Sequence, residues 1–314
     1  MKEAKSMFEE SGESGMGYIK CGVYGNPGAG KTYTALKIGT ALGTTALLDV
    51  ERGAEPFRRL FKNPDGTPFL VAPIGNLNQA FQALEEAIER KVEVVIVDQM
   101  TFLWEMAQEM YIEGERRKQS KTWSMIEDGG NLPMLSWSKI KKPYRRFIRA
   151  LMDVPVHVFM LGRLSMEYKM EGGELIRVGE KMAAEKWTPY EPTILIKMEY
   201  DKRKKVNLAL VEKDRFGELN GQVFENPGVE MFDPILKLLG RSHALLPEIE
   251  EGEEEKEEAE KDPISPKQVK LITRIALRLR VGEKEVAKAL KTMDIVRAGE
   301  VLNRLALKDT SDFS

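Results

Sequence analysis

Eight consecutive residues fit a phosphate-binding pattern without a mismatch. The pattern is G-x-x-x-x-G-K-[ST], and its residues here are Gly25, Asn26, Pro27, Gly28, Ala29, Gly30, Lys31 and Thr32. The glycines let backbone N–H groups turn toward a phosphate, Lys31 can reach the β- and γ-phosphate oxygens, and the Thr32 hydroxyl can bind Mg²⁺. We therefore predict a nucleotide site at this loop and the adjoining Tyr33, with ATP and Mg²⁺ as its ligands.

A carboxylate ends each of two predicted strands. Asp98 ends the β-branched run 92–98, and at that position it would hold Mg²⁺ together with Thr32. The next residue is Gln99, which cannot take a proton from water, so a catalytic base must come from elsewhere. Glu51 ends the run 45–51, which we expect to lie beside the phosphate loop, and it is the best candidate.

Two other interpretations stay open. Asp49 and Glu51 could merely cap a turn before Gly53 and have no catalytic role. The base could also be Glu105, about one helical turn after Thr101, although a surface position suits this residue better.

A cation follows another predicted strand. The run 154–161 is apolar apart from His157, which we interpret as a packed side chain because no partner ligand is in view. Arg163 comes two residues after this run, where a guanidinium would sense a γ-phosphate and stabilise charge in the transition state.

The elements that position these residues alternate between strand and helix. We predict strands at 18–24, 45–51, 69–73, 92–98 and 154–161, and helices at 32–42, 77–91, 101–118 and 228–240. Residues 119–132 form a predicted polar loop, residues 164–177 a hairpin, and residues 193–199 and 206–211 an antiparallel pair. This order predicts an α/β fold with a mostly parallel sheet, extended by an antiparallel hairpin.

Two basic stretches could contact nucleic acid. Lys202, Arg203, Lys204 and Lys205 form the turn between the last two strands, which is either a solvated tip or a contact for phosphates. Residues 137–149 mix basic and aromatic side chains, a composition that can grip a nucleic-acid backbone. A solvated helix face with its aromatic side chains in the core explains that stretch at least as well.

The net charge of −2 conceals differences between segments. Residues 248–262 carry ten acidic side chains and two lysines, whereas residues 263–314 carry eleven basic and six acidic ones. We predict an N-terminal segment (1–14), an ATPase domain (15–241), a flexible acidic linker (242–262) and a basic three-helix module (263–314). The first helix of this module places Lys267, Lys270, Arg274 and Arg278 on one face, which could lie on DNA phosphates.

Composition also bears on compartment and metal type. The chain has one cysteine, Cys21, and two histidines, so we expect a reducing environment and no structural zinc. We find no apolar leader and no run of eighteen apolar residues. These observations predict a soluble cytoplasmic protein without a membrane partner.

Several motifs together resemble the RecA-like ATPases encoded by bacteriophages, and most of all the group linked to single-strand annealing and recombination. They are residues 25–32, 48–53, 96–105, 161–163 and 178–182, and the resemblance spans roughly residues 16–240. It implies a RecA-like P-loop NTPase core in the host cytoplasm, Glu51 as the catalytic carboxylate and Asp98 at Mg²⁺.

The same resemblance implies a ring or filament of identical subunits with sites at the subunit boundaries. In such an assembly Lys181 or Arg163 could act on a neighbour's γ-phosphate. Gln99 is a departure, because many of the similar proteins have Ser there.

The resulting hypothesis is a Mg²⁺-dependent ATPase that binds single-stranded DNA in recombination or annealing, alongside other replication or recombination proteins. A DNA motor or helicase-like protein is the nearest alternative. Two alternatives from other classes are a P-loop kinase of a small molecule and a non-hydrolysing, nucleotide-gated binding protein. A kinase would need an arginine-rich lid and an acceptor pocket, neither of which we identify in the sequence.

Overall fold

The computed structural model describes residues 17–172 and 174–241 of the chain. The predicted N-terminal segment, acidic linker and basic module lie outside these residues, as do Lys267, Lys270, Arg274 and Arg278.

The described strands form one nine-stranded sheet. They are β1 (Lys20–Gly25), β2 (Thr45–Asp49), β3 (Leu70–Pro73), β4 (Val94–Asp98), β5 (His157–Glu171), β6 (Glu174–Ala183), β7 (Ile194–Asp201), β8 (Val206–Asp214) and β9 (Val223–Glu225). Their order is β3-β2-β4-β5-β1-β7-β8-β9, with β6 paired to β5. The first six strands of this order run parallel, and β6, β8 and β9 are antiparallel to their partners.

Helices cover both faces of the sheet. They are α1 (Lys31–Leu42), α2 (Leu77–Glu89), α3 (Met100–Arg117), α4 (Lys121–Glu127), α5 (Met134–Asp153) and α6 (Asp233–Leu238), with short 3₁₀ turns at Glu55–Phe57, Thr188–Tyr190 and Val229–Phe232. One core cluster contains residues of α1 and α6, and the other contains residues of α2, α3 and α5. Alternate residues of the strands enter the two clusters, because successive side chains of a strand point to opposite faces.

Local sequence explains the elements that carry the site. β4 is the run Val-Val-Ile-Val-Asp with every residue buried, as expected for a parallel strand covered on both faces. α2 buries Leu77, Ala80, Leu84 and Ala87 at helical spacing, and the Asn76 side chain caps its first turn by accepting from Gln79 N.

Most predicted elements are confirmed, including the mostly parallel α/β sheet and its antiparallel hairpin extension. The polar loop at 119–132 was wrong in part, because α4 lies inside it, capped by the Ser120 side chain. The helix at 228–240 is a 3₁₀ turn followed by the six-residue α6. The hairpin at 164–177 is the outer part of the longer β5–β6 ribbon.

The expected position of β2 was also wrong. β4 and β5 both lie between β2 and β1, so the strand before Glu51 does not neighbour the strand before the phosphate loop. A strand's place in a parallel sheet depends on crossover connections, which a buried apolar run does not encode.

Candidate nucleotide site

The phosphate-binding loop connects β1 to α1 at the carboxyl edge of the sheet, where ligands of parallel α/β sheets bind. Two of its glycines are required by close neighbours. A Cβ on Gly25 would collide with the Met198 carbonyl oxygen, and a Cβ on Gly30 would lie 2.7 Å from Asn207 Nδ2. Gly30 also has a φ of 80°, a left-handed conformation that suits glycine. The loop therefore takes its shape from its own glycines and from the β7–β8 hairpin behind it.

Lys31 is the first residue of α1 and folds back over the loop. Its Nζ donates hydrogen bonds to the carbonyl oxygens of Gly25 and Asn26, both at 3.0 Å. Burial lowers the pKa of Lys31, while Asp98 and Glu51 oppose that shift and Arg163 adds to it. An anionic phosphate in the cleft would stabilise the protonated amine, so the side chain is suited to bind one.

Thr32 and Asp98 meet as predicted for a magnesium site. Thr32 Oγ1 donates to Asp98 Oδ2 at 2.7 Å, and Asp98 is only 3% exposed. Burial, the largest cause, raises the pKa of Asp98 to about 6. Its Oδ1 has no hydrogen-bond partner among the described residues. Mg²⁺ prefers oxygen ligands. The Thr32 hydroxyl and the unpaired carboxylate oxygen of Asp98 are ligands of this kind, so the pair fits a magnesium site.

The two carboxylates at the end of β2, Asp49 and Glu51, have different partners. Asp49 accepts hydrogen bonds from the backbone N–H groups of Gly53 at 3.0 Å and Ala54 at 3.1 Å. It therefore caps the turn, as the structural alternative proposed. Glu51 takes no part in that cap. Its Oε2 accepts from Gln99 Nε2 at 2.7 Å, and its Oε1 lies 3.0 Å from a guanidinium nitrogen of Arg163.

Arg163 is level with Gly25 in the register of β5 and β1. Its backbone N–H donates to Thr101 Oγ1 at 3.0 Å, and its guanidinium carbon lies 4.2 Å from the centre of the Phe102 ring. The side chain is thus held between an aromatic face and Glu51. Arg163 thus places a cation in the same cleft as the phosphate loop.

These side chains line one cleft of about 310 Å³. Its lining comprises Pro27, Gly28, Gly30, Lys31, Thr32, Tyr33, Glu51, Phe57, Gln99 and Arg163. The Tyr33 ring lies edge-to-face against Phe61, with 5.0 Å between the ring centres. The cleft brings together a phosphate loop, an acid, a cation and aromatic walls.

Two candidates lie away from the cleft. Lys181 is in β6, opposite Ser165, and its Nζ is 3.6 Å from a carboxylate oxygen of Glu167. Glu105 is an exposed residue of α3. Neither residue lines the cleft.

The basic turn at the tip of the β7–β8 hairpin is exposed. Asp201 shapes it by accepting from the backbone N–H groups of Arg203 and Lys204. Lys204 pairs with Glu225, whereas Lys202, Arg203 and Lys205 form no ion pair with a described residue. Their charges are therefore available to a phosphate backbone.

The basic and aromatic stretch 137–149 belongs to α5. Tyr144 and Phe147 are fully buried, and Lys142, Arg146 and Arg149 are exposed. The interpretation as a solvated helix face is confirmed, because these two rings face the core and cannot stack on bases. His157 likewise packs in the interior, where its Nδ1 accepts from the Ile19 backbone N–H at 3.1 Å.

Sequence reasoning missed part of the cleft. Phe57 lies in a 3₁₀ turn that no periodic pattern marks. The contacts of Thr101 and Phe102 with Arg163, and of Gln99 with Glu51, join distant parts of the chain, so no local pattern predicts them. Asn207 follows a basic turn, and nothing in its sequence context indicates contact with Gly30.

Two further results concern other kinds of site. No helix in the described part of the chain is long and apolar enough to cross a membrane. Within residues 17–172 and 174–241, no group of three or more His, Cys, Asp or Glu side chains could hold a metal ion.

The sheet order, the glycine loop and the Thr32–Asp98 pair define a P-loop nucleotide-binding protein. A family model described as "AAA domain" (AAA_24) matches residues 18–216, and the chain belongs to this family. The comparison with curated proteins found no match. A solved structure described as the RadB recombinase aligns at 16% identity with a TM-score of 0.42, covering 67% of this chain and 88% of that chain.

Proposed function

We propose that this protein is a Mg²⁺-dependent ATPase that binds single-stranded DNA and acts in recombination or annealing. The observation that carries the enzymatic part is the position of Glu51. It lies in the same cleft as the phosphate loop, and its carboxylate contacts Gln99 and Arg163. The nearby Asp49 instead accepts hydrogen bonds from backbone N–H groups of the following turn.

In the proposed reaction the loop and Lys31 bind the phosphates of ATP, and Glu51 takes a proton from the attacking water. The Arg163 guanidinium stabilises the negative charge that develops on the γ-phosphate in the transition state. Thr32 and Asp98 would hold Mg²⁺, which would supply positive charge at the phosphate oxygens. A carboxylate has about four lone-pair sites. With two of them occupied by Gln99 and Arg163, Glu51 keeps the capacity to accept from water.

The DNA-binding part rests on the resemblance noted in the sequence and on the exposed turn. Lys202, Arg203 and Lys205 are charged, exposed and without described ion-pair partners. The hairpin that carries them also touches the phosphate loop, since Asn207 lies against Gly30. DNA at the tip can therefore influence the loop through one β-hairpin.

We also propose a homo-oligomer, as a ring or filament, in the cytoplasm. Lys181 supports the oligomer proposal because its side chain is about half exposed and does not line its own chain's cleft, so it is accessible to a neighbour. Sedimentation with ADP and with a non-hydrolysable ATP analogue tests this; one monomeric species under both conditions would rule the oligomer out.

The test of function is ATP hydrolysis by the full chain with and without single-stranded DNA, at two salt concentrations. We expect stimulation that declines with salt, because phosphate contacts release counterions. Replacing Lys202, Arg203 and Lys205 with Ala should reduce the stimulation. Replacing Lys62, Lys121 and Lys237, which are also exposed, is the matched control for lost charge. If DNA does not stimulate hydrolysis by the unaltered chain at either salt concentration, the DNA-binding part of the proposal is wrong, whereas the ATPase part is unaffected.

A further inference from the structure

Phe102, in the first turn of α3, lies against the guanidinium of Arg163. The distance from the guanidinium carbon to the centre of the ring is 4.2 Å. The ring itself is partly buried and packs on the core cluster that contains residues of α2, α3 and α5. Phe102 does not line the nucleotide cleft, whereas Arg163 does. Any effect of the ring on a bound nucleotide must therefore pass through Arg163.

Two groups hold the guanidinium of Arg163, and they differ in kind. Glu51 Oε1 lies 3.0 Å from a guanidinium nitrogen, but both side chains of this ion pair are partly exposed, so solvent screens their attraction. The Phe102 ring is fixed by its packing on the core. Its face carries the negative part of the aromatic quadrupole, which attracts a cation. The ring thus offers Arg163 a support that the core holds in place.

The two supports respond differently to the proposed reaction. When Glu51 takes the proton from the attacking water, it loses its negative charge and with it most of its attraction for Arg163. Negative charge develops on the γ-phosphate in the same step, which is when the guanidinium is needed. The Phe102 ring has no titratable proton, so its attraction for the cation is unchanged throughout the step.

We propose that Phe102 is a positioning residue, whose ring keeps the Arg163 guanidinium in the cleft while Glu51 accepts the water proton. This inference rests on the proposed function. In that step the water oxygen bonds to the γ-phosphorus as the bond to the β–γ bridging oxygen breaks. ADP leaves with the electron pair, and the water proton passes to Glu51. Phe102 exchanges neither a proton nor an electron.

The first experiment compares Phe102→Leu and Phe102→Tyr with the unaltered full chain. Leucine fills much of the same space but has no aromatic face, so kcat should fall about 3–30-fold, the range of a cation–π contact, while KM for ATP changes less than about threefold. Tyrosine keeps the aromatic face and should retain most of the original kcat. Denaturant midpoints of both variants show how much each loses in stability.

The matched control is Phe81→Leu. The Arg146 guanidinium carbon lies 5.8 Å from the centre of the Phe81 ring, so this phenylalanine also contacts an arginine. Phe81 packs on the same core cluster as Phe102, but neither it nor Arg146 lines the nucleotide cleft. Phe81→Leu should therefore keep the original kcat and KM even if it lowers the denaturant midpoint.

A double-mutant cycle with Arg163→Ala separates positioning from packing. If Phe102 acts through Arg163, Phe102→Leu should have no further effect once Arg163 is replaced. Lost packing alone would lower activity by the same factor with and without Arg163. The cycle is measured as kcat and also as affinity for ADP with aluminium fluoride, which mimics the transition state and requires no turnover.

The outcomes separate the two proposals. The role of Phe102 is overturned, while the ATPase stands, if Phe102→Leu has equal effects in both backgrounds. An unchanged affinity of Phe102→Leu for ADP with aluminium fluoride would overturn it too, as would a loss of kcat in Phe102→Tyr as large as in Phe102→Leu. If the unaltered protein binds ATP and never hydrolyses it, the proposed function is wrong and the role of Phe102 is wrong with it.

Discussion

Arg163 and Glu51 lie 112 positions apart in the sequence, and their side chains meet at 3.0 Å inside the nucleotide cleft. Both side chains are about 40% exposed, at 42% and 39%. An ion pair this exposed contributes only about 0–1 kcal/mol to folding. The pair therefore adds little to stability, and in the proposed function its two members act on a bound nucleotide and its attacking water.

Glu51→Gln should lower kcat by about 10²–10⁴-fold, the usual contribution of a general base. ATP binding should persist, because the loop and Lys31 are untouched. Single-turnover hydrolysis and equilibrium nucleotide binding measure the two effects. Glu55→Gln is the control, since Glu55 pairs with Arg58 on the surface. Unchanged turnover in Glu51→Gln would favour a non-hydrolysing, nucleotide-gated protein.

Lys31→Ala should weaken nucleotide binding by about 100-fold, because it removes charge-assisted hydrogen bonds to the phosphates. Lys37→Ala provides the comparison: Lys37 is on the same helix, but its Nζ donates to the carbonyl oxygens of Asn226 and Pro227. Titration with a fluorescent nucleotide measures both. Tight binding retained by Lys31→Ala would contradict the assignment of the loop.

Mixing of inactive variants distinguishes Arg163 from Lys181. Arg163 lies in its own chain's cleft, so Arg163→Ala mixed with Lys31→Ala should recover no activity. Lys181 lies outside that cleft, so Lys181→Ala mixed with Lys31→Ala should recover part of the activity if subunits share sites. Recovery in the first mixture would mean that Arg163 acts across a subunit boundary.

Thr32→Val should reduce the gain in nucleotide affinity that Mg²⁺ provides, because the variant lacks the hydroxyl beside Asp98. The measurement is nucleotide affinity with Mg²⁺ and with EDTA. Thr40→Val is a matched control, because the Thr40 hydroxyl donates to the Leu36 carbonyl oxygen within α1. An equal Mg²⁺ effect in Thr32→Val and the unaltered protein would place the metal elsewhere.

Acid should destabilise the fold through His157. Burial, aided by the charges of Arg241 and Lys20, lowers the pKa of His157 from 6.5 to about 4. Between these values the unfolded chain binds more protons than the folded one, so stability falls as pH falls from 6.5 to 4 and levels off below. The loss from this group is about 3 kcal/mol. Denaturant midpoints across this pH range should fall less steeply in His157→Gln than in the unaltered protein; equal slopes would contradict the assignment.

The sequence was sufficient to predict the loop and the Thr32–Asp98 pair, because each depends on a motif with few structural solutions. It was not sufficient for the neighbours of Glu51. The contact with Arg163 depends on the order of strands, and that order follows from long crossovers that no local pattern records. The sequence also did not predict that Asp49 alone caps the turn. That role depends on two backbone N–H groups in the following turn, which donate to Asp49 and not to Glu51.

The partners of β1 have a consequence for biosynthesis. β1 pairs with β5 and β7, so Val23 lies beside Leu161 and Ile196. The strand before the phosphate loop is thus made before both of its neighbours, which emerge from the ribosome more than a hundred residues later. Pairing over such separations is slow, and unpaired strand edges invite aggregation. A nascent chain that stops before β7 should carry the complete phosphate-binding motif and still fail to retain ATP.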